Sequence, residues 1–577
     1  MAIERVSSVL CILLSLASAQ SQARGGILNA IPGEALGFAV VQNPTDASRN
    51  IDDLAKLVQA PAPDLLGLAK RMSGLAQGID EHGDLAVVLT GVDPAPKGVA
   101  LVPVANFADF FAALRVTEPA TGVVEVQLAS GPTLVGRKGD YAAMAAPTNR
   151  DALEQLLAST TNLAADASLA EWLAANKASF VLTSRGIKQL IPKLTSGIRS
   201  MQATFLAMPG DQGKTAADGM NMYLQLFTAA ETEVDQFGVA LRIDSSRTVD
   251  LVKRIQFTPD GAWAKWAADV KPAAENLLAG LPAGPFVMAM GGVVPPGMME
   301  HLMKFSVKMM QNQPMYKLTP EQAETYAGLS LQAMSGVRSM QMLVGVAEPG
   351  AGIYSNTTVV MSVDDPQSYL AGYEKTLSAM REYAEEVKSP LIPVATVERV
   401  KLGATDALEV EMDMSHLNQL TPPGGPDPQK MMQAMLGTHG KMTIYIAPAD
   451  EHAVVMSYTS LERLKSAIDF YKSKQPGLSG DAGVAKIAAA LPPGSQAVAF
   501  VQLDGVANVI QQFIAMIPGA RAAVPDFTKS PPIGWAAKVS PLGAEGHLVV
   551  TAETLRAIGE TVAKVRGAAP GVSSPQP

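Results

Sequence analysis

Between Thr443 and Phe470 the chain reads TIYIAPADEHAVVMSYTSLERLKSAIDF. Apolar and β-branched residues fill TIYIA and AVVMSY, with the polar break Pro448-Ala449-Asp450-Glu451 between them. That pattern predicts two strands joined by a tight turn. Thr459 or Ser460 then stands where a helix cap belongs. Leu461, Leu464, Ile468 and Tyr471 follow at spacings of three and four, the apolar stripe of an amphipathic helix.

The same order of pattern returns along the chain. Strand-to-helix junctions align as VPVANFADFFAAL, MAAPTNRDALEQLL, IQFTPDGAWAKWA, MSVDDPQSYLAGY, MSYTSLERLKSAI and VVTAETLRAIGET. At Asp365-Pro366 a capping carboxylate precedes a proline in the first helical turn, a strong start signal. Pro/Gly-led starts align as IPGEALGFAVVQ, LPAGPFVMAM and LPPGSQAVAFVQL, with NKASFVLTS in the same place of a further unit. These starts predict modules over 27–168, 169–280, 281–484 and, in partial form, 485–566. A Pro/Ser/Gly-rich tail at 567–577 is expected to be disordered. Modules above 80 residues mean tandem duplication of domains, not a short-period solenoid. Alternating strands in hairpins with helices beside them predict an α+β fold. Its tandemly duplicated modules should be mainly antiparallel sheet with helices packed on one face.

The starts at Ile31-Pro32-Gly33-Glu34, Leu281-Pro282-Ala283-Gly284 and Leu491-Pro492-Pro493-Gly494, each followed by an apolar strand, resemble a group of exported bacterial proteins of unknown function, abundant in planctomycetes. In that group Leu-Pro-Ala-type starts precede repeated α+β units. The resemblance covers most of the chain. It implies export and repeated architecture, and it brings no catalytic residues.

The first residues change the picture. MAIER carries one Arg, VSSVLCILLSLASA is a short apolar run, and Ala17-Ser18-Ala19 is a small-residue cleavage site before Gln20. That is the grammar of a secretory signal peptide over 1–19, with Ser21-Gln22-Ala23 a poorer second site. The run is shorter than the roughly 20 apolar residues a spanning helix needs. Cys11, the single cysteine, lies inside it. The mature chain would then hold no disulfide, thiol nucleophile or thiolate metal site. A large exported protein without disulfides fits the periplasm or exterior of a bacterium. No later run is long enough to predict a membrane span. Charged residues are only 17% and the net charge is −9, which argues against nucleic acid as a partner. Hydrophobic residues make up 48% with 28 Met, so cores of Ala, Val, Leu and Met are expected.

No motif names a reaction. Gly213-Lys214-Thr215 looks like the end of a phosphate loop, but Met208 stands where its first glycine is needed, and the stretch reads as a surface loop. Asp364/Asp365 and Glu385/Glu386 read as a helix cap and a solvated face. His82, His301, His416, His439, His452 and His547 are scattered, and a triad assembled in space lies beyond sequence spacing. Met and His do gather in two places. Met299, His301 and Met303 lie on one helical stretch, and Met412, Met414 and His416 share one strand face. Thioether with imidazole suits monovalent copper. The plainer reading makes Met412 and Met414 a buried strand face with Leu408 and Val410. Met-rich helices can also form a groove for lipid or a partner peptide. The chain is therefore expected to be an exported, non-enzymatic binding or structural protein of the envelope, without cofactor, its partner an envelope protein or a hydrophobic ligand. A carrier of lipid or another hydrophobic ligand is the alternative, and a Met/His copper protein the second.

Overall fold

Thr443–Phe470 folds as its pattern predicts. Lys441–Pro448 and Ala453–Tyr458 pair antiparallel, with Ile446 opposite Met456. Ser460 caps the helix Leu461–Ser473, its hydroxyl accepting from the Arg463 N–H at 3.4 Å. Leu464 and Ile468 are buried on that helix. The computed structural model describes residues 26–568, less 61–66, 68–77, 94, 120–121, 209–210, 275, 296, 301–302, 304–306, 308–317, 349–350, 388–393, 404, 414–434, 436–440 and 516–526.

The described chain divides into two compact units. Unit 1 holds the residues up to Gly197, Phe227–Ala264 and Leu542–Glu560; unit 2 holds Ile198–Leu226, Lys265–Pro541 and the residues from Thr561. The strands of unit 1 are β1 (Gly37–Val41), β2 (Leu85–Gly91), β3 (Lys97–Pro103), β4 (Val123–Leu128), β5 (Gly131–Lys138), β6 (Tyr141–Ala145), β7 (Ala178–Leu182), β8 (Val234–Ile243) and β9 (Val249–Phe257). Those of unit 2 are β10 (Phe286–Val293), β11 (Val337–Gly345), β12 (Thr357–Val363), β13 (Val394–Leu402), β14 (Thr405–Asp413), β15 (Lys441–Pro448), β16 (Ala453–Tyr458), β17 (Ala497–Val501) and β18 (Ile533–Ser540). β19 (Gly543–Val550) pairs with β9 and completes unit 1.

Within each unit, neighbouring strands run antiparallel. In unit 1 the order is β4-β5-β6-β3-β2-β1-β7-β8-β9-β19. In unit 2 it is β13-β14-β15-β16-β12-β11-β10-β17-β18. The two orders correspond. In each, a first strand sits centrally, two hairpin steps lead outward, an excursion returns to the third strand, and the chain then crosses to the other side of the first. The series β6-β3-β2-β1-β7-β8 thus matches β16-β12-β11-β10-β17-β18, and β13 is one extra strand at the edge. The three Pro/Gly-led starts lead into β1, β10 and β17 and their analogue into β7, the central neighbours of the two sheets. The boundaries expected at 168/169 and 484/485 therefore fall inside a sheet, because β1 pairs with β7 and β10 with β17.

Matching glycines mark the correspondence. A Cβ on Gly186, just inside the helix after β7, would clash with the Leu36 carbonyl oxygen; one on Gly505, just inside the helix after β17, would clash with that of Phe286. Only glycine lets a helix backbone approach the strand so closely.

The α+β class is what the structure shows, with one change to its layering. β1, GFAVV, is buried at every residue, so it needs cover on both faces. On one face Phe38, Val40, Val88 and Val181 pack with Leu153 and Leu156 of helix Arg150–Ala158 and with Leu169 and Trp172 of helix Ala167–Ala174. On the other, Val41, Ala178 and Ile243 pack with Ala47 and Leu54 of helix Pro44–Leu57. Helices thus cover both faces of this sheet, where cover on one was expected. In unit 2, Met361, Leu408, Val410, Ile444 and Val454 form a core with Tyr369, Leu370 and Leu377 of helix Pro366–Val387.

The stretch expected as a loop around Gly213-Lys214-Thr215 is helical instead, within Asp211–Glu233. It turns back along helix Ser184–Leu206, and Gln202 Nε2 reaches across to the Ala217 carbonyl and Asn221 Oδ1, both at 2.9 Å. Helix formers after Gly213 favour this, and Gly213 fits against the Phe205 carbonyl, where a Cβ would collide. Helix Ala262–Ala268, which follows the IQFTPDGAWAKWA junction, ends four residues before Pro272.

Candidate functional site

Two buried charged clusters stand out, both in unit 1. The first forms where β1 ends. Gln42 continues the ladder, its N–H donating to the Lys177 carbonyl at 2.8 Å. Asn43 then turns the chain with φ 44° and caps helix Pro44–Leu57: its Oδ1 accepts from the Asp46 N–H at 3.2 Å and its Nδ2 donates to Asp46 Oδ2 at 2.8 Å. Asn tolerates this left-handed conformation better than most side chains, and Pro44 suits the first helical turn. Asp84 lies just before β2 and Lys177 just before β7, so strand register brings both beside Asn43.

Lys177 is buried. Burial lowers its pKa, while Asp46 and Asp84 pull the other way. Burial also drives the Asp84 carboxyl up to about 6, against the Asn43 N–H and the Lys177 charge, with Asp80 adding repulsion. Tyr141, which also feels Asp84, is pushed up chiefly by burial. The Asp84 carboxyl can therefore take up a proton near pH 6, beside a lysine whose own pKa is lowered by burial.

The second cluster joins β8, β9 and β19. His547 and Asp250 are buried. His547 Nδ1 lies 3.0 Å from Asp250 Oδ2, and its Nε2 lies 3.7 Å from Glu545 Oε2. Arg242 Nη1 is 3.7 Å from Asp250 Oδ2. Register places Arg254 opposite Glu545 and His547 opposite Val252. Burial alone would lower the imidazole pKa; the hydrogen bond to Asp250 and the nearby Glu545 carboxylate overcome it and push His547 up to about 9. The close approach of His547 in turn lowers the Glu545 carboxyl. The imidazolium therefore holds β19 to β9 as a charged clasp.

The residues singled out from the sequence lie elsewhere. Met412 faces Ala395 and Met442 across the ladder and packs into the unit 2 core. Met303 packs with Val307, Ala323 and Ala327, and Met299 is half-buried. His301, Met414 and His416 lie outside the described residues, as does His439. Met303 and Met412 thus belong to different apolar clusters. Among the described residues no group of three His, Cys, Asp or Glu side chains is arranged to hold a metal ion.

Sequence spacing missed both charged clusters for one reason: their members meet through strand pairing. Asp250 and His547 are 297 positions apart. The legible signal was Glu545-x-His547, which alternation puts on one strand face. Comparison with family models, with curated proteins and with solved structures gives no match. Among the described residues no helix is long and apolar enough to cross a membrane.

Proposed function

We propose that this protein is exported and serves as a non-enzymatic binding or structural component of the bacterial cell envelope, its two corresponding halves arising by tandem duplication. The observation that carries the reading is the helical hairpin of Ser184–Leu206 and Asp211–Glu233. Its outer part, within unit 2, leaves Met201, Leu206, Met208, Tyr223 and Leu226 exposed. A run of exposed large apolar side chains on one element marks a surface that meets something else. The buried charges support a structural role as well: one cluster closes a helix cap and strand ends, the other clasps an edge strand. The matched strand orders and matched helix glycines support the duplication.

The test is expression with the native N-terminus in a bacterium, followed by fractionation and native mass spectrometry without detergent. The reading expects a chain beginning at Gln20 in the envelope or periplasmic fraction. A full-length chain confined to the cytoplasm would overturn it. So would turnover of a hydrolase substrate library that one point mutation abolishes.

A further inference from the structure

Arg242, Asp250, Arg254, Glu545 and His547 belong to one face of the unit 1 sheet. Pairing sets Arg242 opposite Asp250, Arg254 opposite Glu545 and His547 opposite Val252. Helix Ala167–Ala174 covers the same face: its Leu169, Trp172 and Leu173 pack with Ala240 and Val252. Gly238 lets the Trp172 ring come close, because a Cβ there would stand 2.8 Å from it. The clasp thus lies beneath a helix, and its two arginines reach both ends of that helix. Arg254 Nη1 donates to the Ser168 carbonyl at 3.1 Å and its Nη2 to the Ser168 hydroxyl, in the first turn. Arg242 Nε donates to the Ala175 carbonyl at 3.1 Å and its Nη2 to Asn176 Oδ1 at 3.3 Å, just past the last turn. The indole adds no polar anchor, since Trp172 Nε1 has no hydrogen-bond partner among the described residues.

The same arginines have a second set of acceptors. Arg242 Nη1 is 3.7 Å from Asp250 Oδ2, the oxygen that His547 Nδ1 approaches to 3.0 Å. Arg242 and Arg254 both act on the Glu545 carboxylate, which lies 3.7 Å from His547 Nε2. With the imidazole charged, its two N–H groups face the two carboxylates, and the guanidinium groups are left to the helix. With the imidazole neutral, the carboxylates have only the arginines for counter-charge, and a carboxylate outbids a carbonyl for a guanidinium. The helix brings no competing charge to this side: Glu171, its one titratable residue, is exposed. Gln42 Nε2 donates to the Leu173 carbonyl at 2.8 Å, a tether that does not titrate, so the helix can loosen without leaving.

We propose that the clasp is a proton-controlled strap on helix Ala167–Ala174: a charged His547 leaves Arg242 and Arg254 to hold the helix at both ends, and a neutral His547 draws them to Asp250 and Glu545 and loosens it. The responding part is then a core helix and not only the edge strand. The direction follows from the imidazole, which is charged at neutral pH and loses its proton around 9. The helix is held at pH 7 and loosens as pH rises.

The experiment is hydrogen exchange of the full chain, followed peptide by peptide from pH 7 to 9.5 and corrected for the intrinsic rate. Opening of residues 167–176 is expected to rise about tenfold or more across that range, together with β9 and β19. His547→Gln should show the raised opening already at pH 7, with no further rise. Arg242→Met with Arg254→Met should open the helix at every pH while β9 and β19 keep their pH dependence, which separates the tethers from the strand clasp. Acrylamide quenching of Trp172, in a chain carrying Trp263→Phe, Trp266→Phe and Trp535→Phe, reads the same loosening from the side chain and should grow with pH. The wild-type exchange profile decides the matter even where a variant folds poorly. If β9 and β19 quicken while residues 167–176 stay as protected at pH 9.5 as at pH 7, the clasp holds strands alone and the proposal falls. It falls also if the double arginine variant leaves the pH profile of the helix unchanged.

Discussion

The central strands of the two units end in the same backbone arrangement with different chemistry. In unit 1 Val41 pairs with Leu85 and Ala178, and the residues before those partners are Asp84 and Lys177. In unit 2 Gly292 pairs with Met340 and Ala497, and the residues before those partners are Ser339 and Gln496. The ladder runs on identically: Gln42 N–H donates to the Lys177 carbonyl at 2.8 Å, and Val293 N–H to the Gln496 carbonyl at 2.9 Å. The charged pair of unit 1 is thus a neutral pair in unit 2. Gln496 is satisfied by backbone, its Oε1 accepting from the Val539 N–H at 2.7 Å and its Nε2 donating to the Val539 and Lys271 carbonyls. Gln341 Nε2 donates to Ser339 Oγ at 3.1 Å. Burial of charge is therefore not required by the strand arrangement. It is an added feature of unit 1, and it makes that unit sensitive to pH where unit 2 has a fixed polar network.

Lys177→Met should show the largest effect. It leaves Asp46 and Asp84 without the cation between them, and breaking a buried pair costs about 3–5 kcal/mol. Asp84 can relieve part of this by taking a proton, because burial already holds its pKa near 6. We expect a loss of about 2–4 kcal/mol in urea unfolding, larger at pH 8 than at pH 5. Gln496→Ala, at the matching place, should cost about 1–3 kcal/mol with no such dependence, since it strands backbone groups of Val539 and no charge. Equal losses at both pH values for Lys177→Met would mean that the lysine acts by packing alone.

The second cluster gives a window at higher pH. His547 titrates near 9 in the folded chain, against an ordinary value of 6.5. A folded pKa above the unfolded one means that its stabilisation is complete below about pH 6.5 and is lost as pH rises through 9. Asp84 has the same sign in a lower window: its folded pKa of about 6 lies above 3.8, so its contribution fades between those values as pH rises. Hydrogen exchange of β9 and β19 should therefore quicken between pH 7 and 9, beyond the intrinsic rise, on the order of 2 kcal/mol of opening energy. Asp250→Asn should flatten that window and cost a similar amount at pH 6. An unchanged profile in Asp250→Asn would detach His547 from the clasp.

How far the chain could be read beforehand follows from the same distinction. Local patterns were legible: the Ser460 cap, the Asp365 cap with Pro366, the hairpin over 443–458, and three of the four central strands through their Pro/Gly starts. Each depends on residues a few places apart. The sheet order was not, because nothing in IPGEALGFAVVQ says that it pairs with NKASFVLTS. Cover on both faces of β1 could have been read from GFAVV, an unbroken apolar run, but not which helices supply it. The charged clusters were opaque because pairing assembles them. Asp84 and Lys177 look like ordinary strand-end charges until β1 sets them on either side.

The smallest expected effect is the sharpest test of the comparison. Transplanting the unit 2 pair into unit 1, as Asp84→Ser with Lys177→Gln, removes both buried charges and leaves Asp46 bound to Asn43 through its cap. Replacing a buried ion pair by neutral groups is often neutral, since desolvation offsets the attraction between the charges. If the two strand arrangements are interchangeable, the double variant should lie within ~1 kcal/mol of the parent at pH 7, far above the sum of its single variants. Its stability should also stop falling between pH 4 and 6, because the carboxyl that titrates there is gone. A loss equal to the sum of the singles would show that unit 1 has come to depend on its charges, and the likeness of the two units would then end at the backbone.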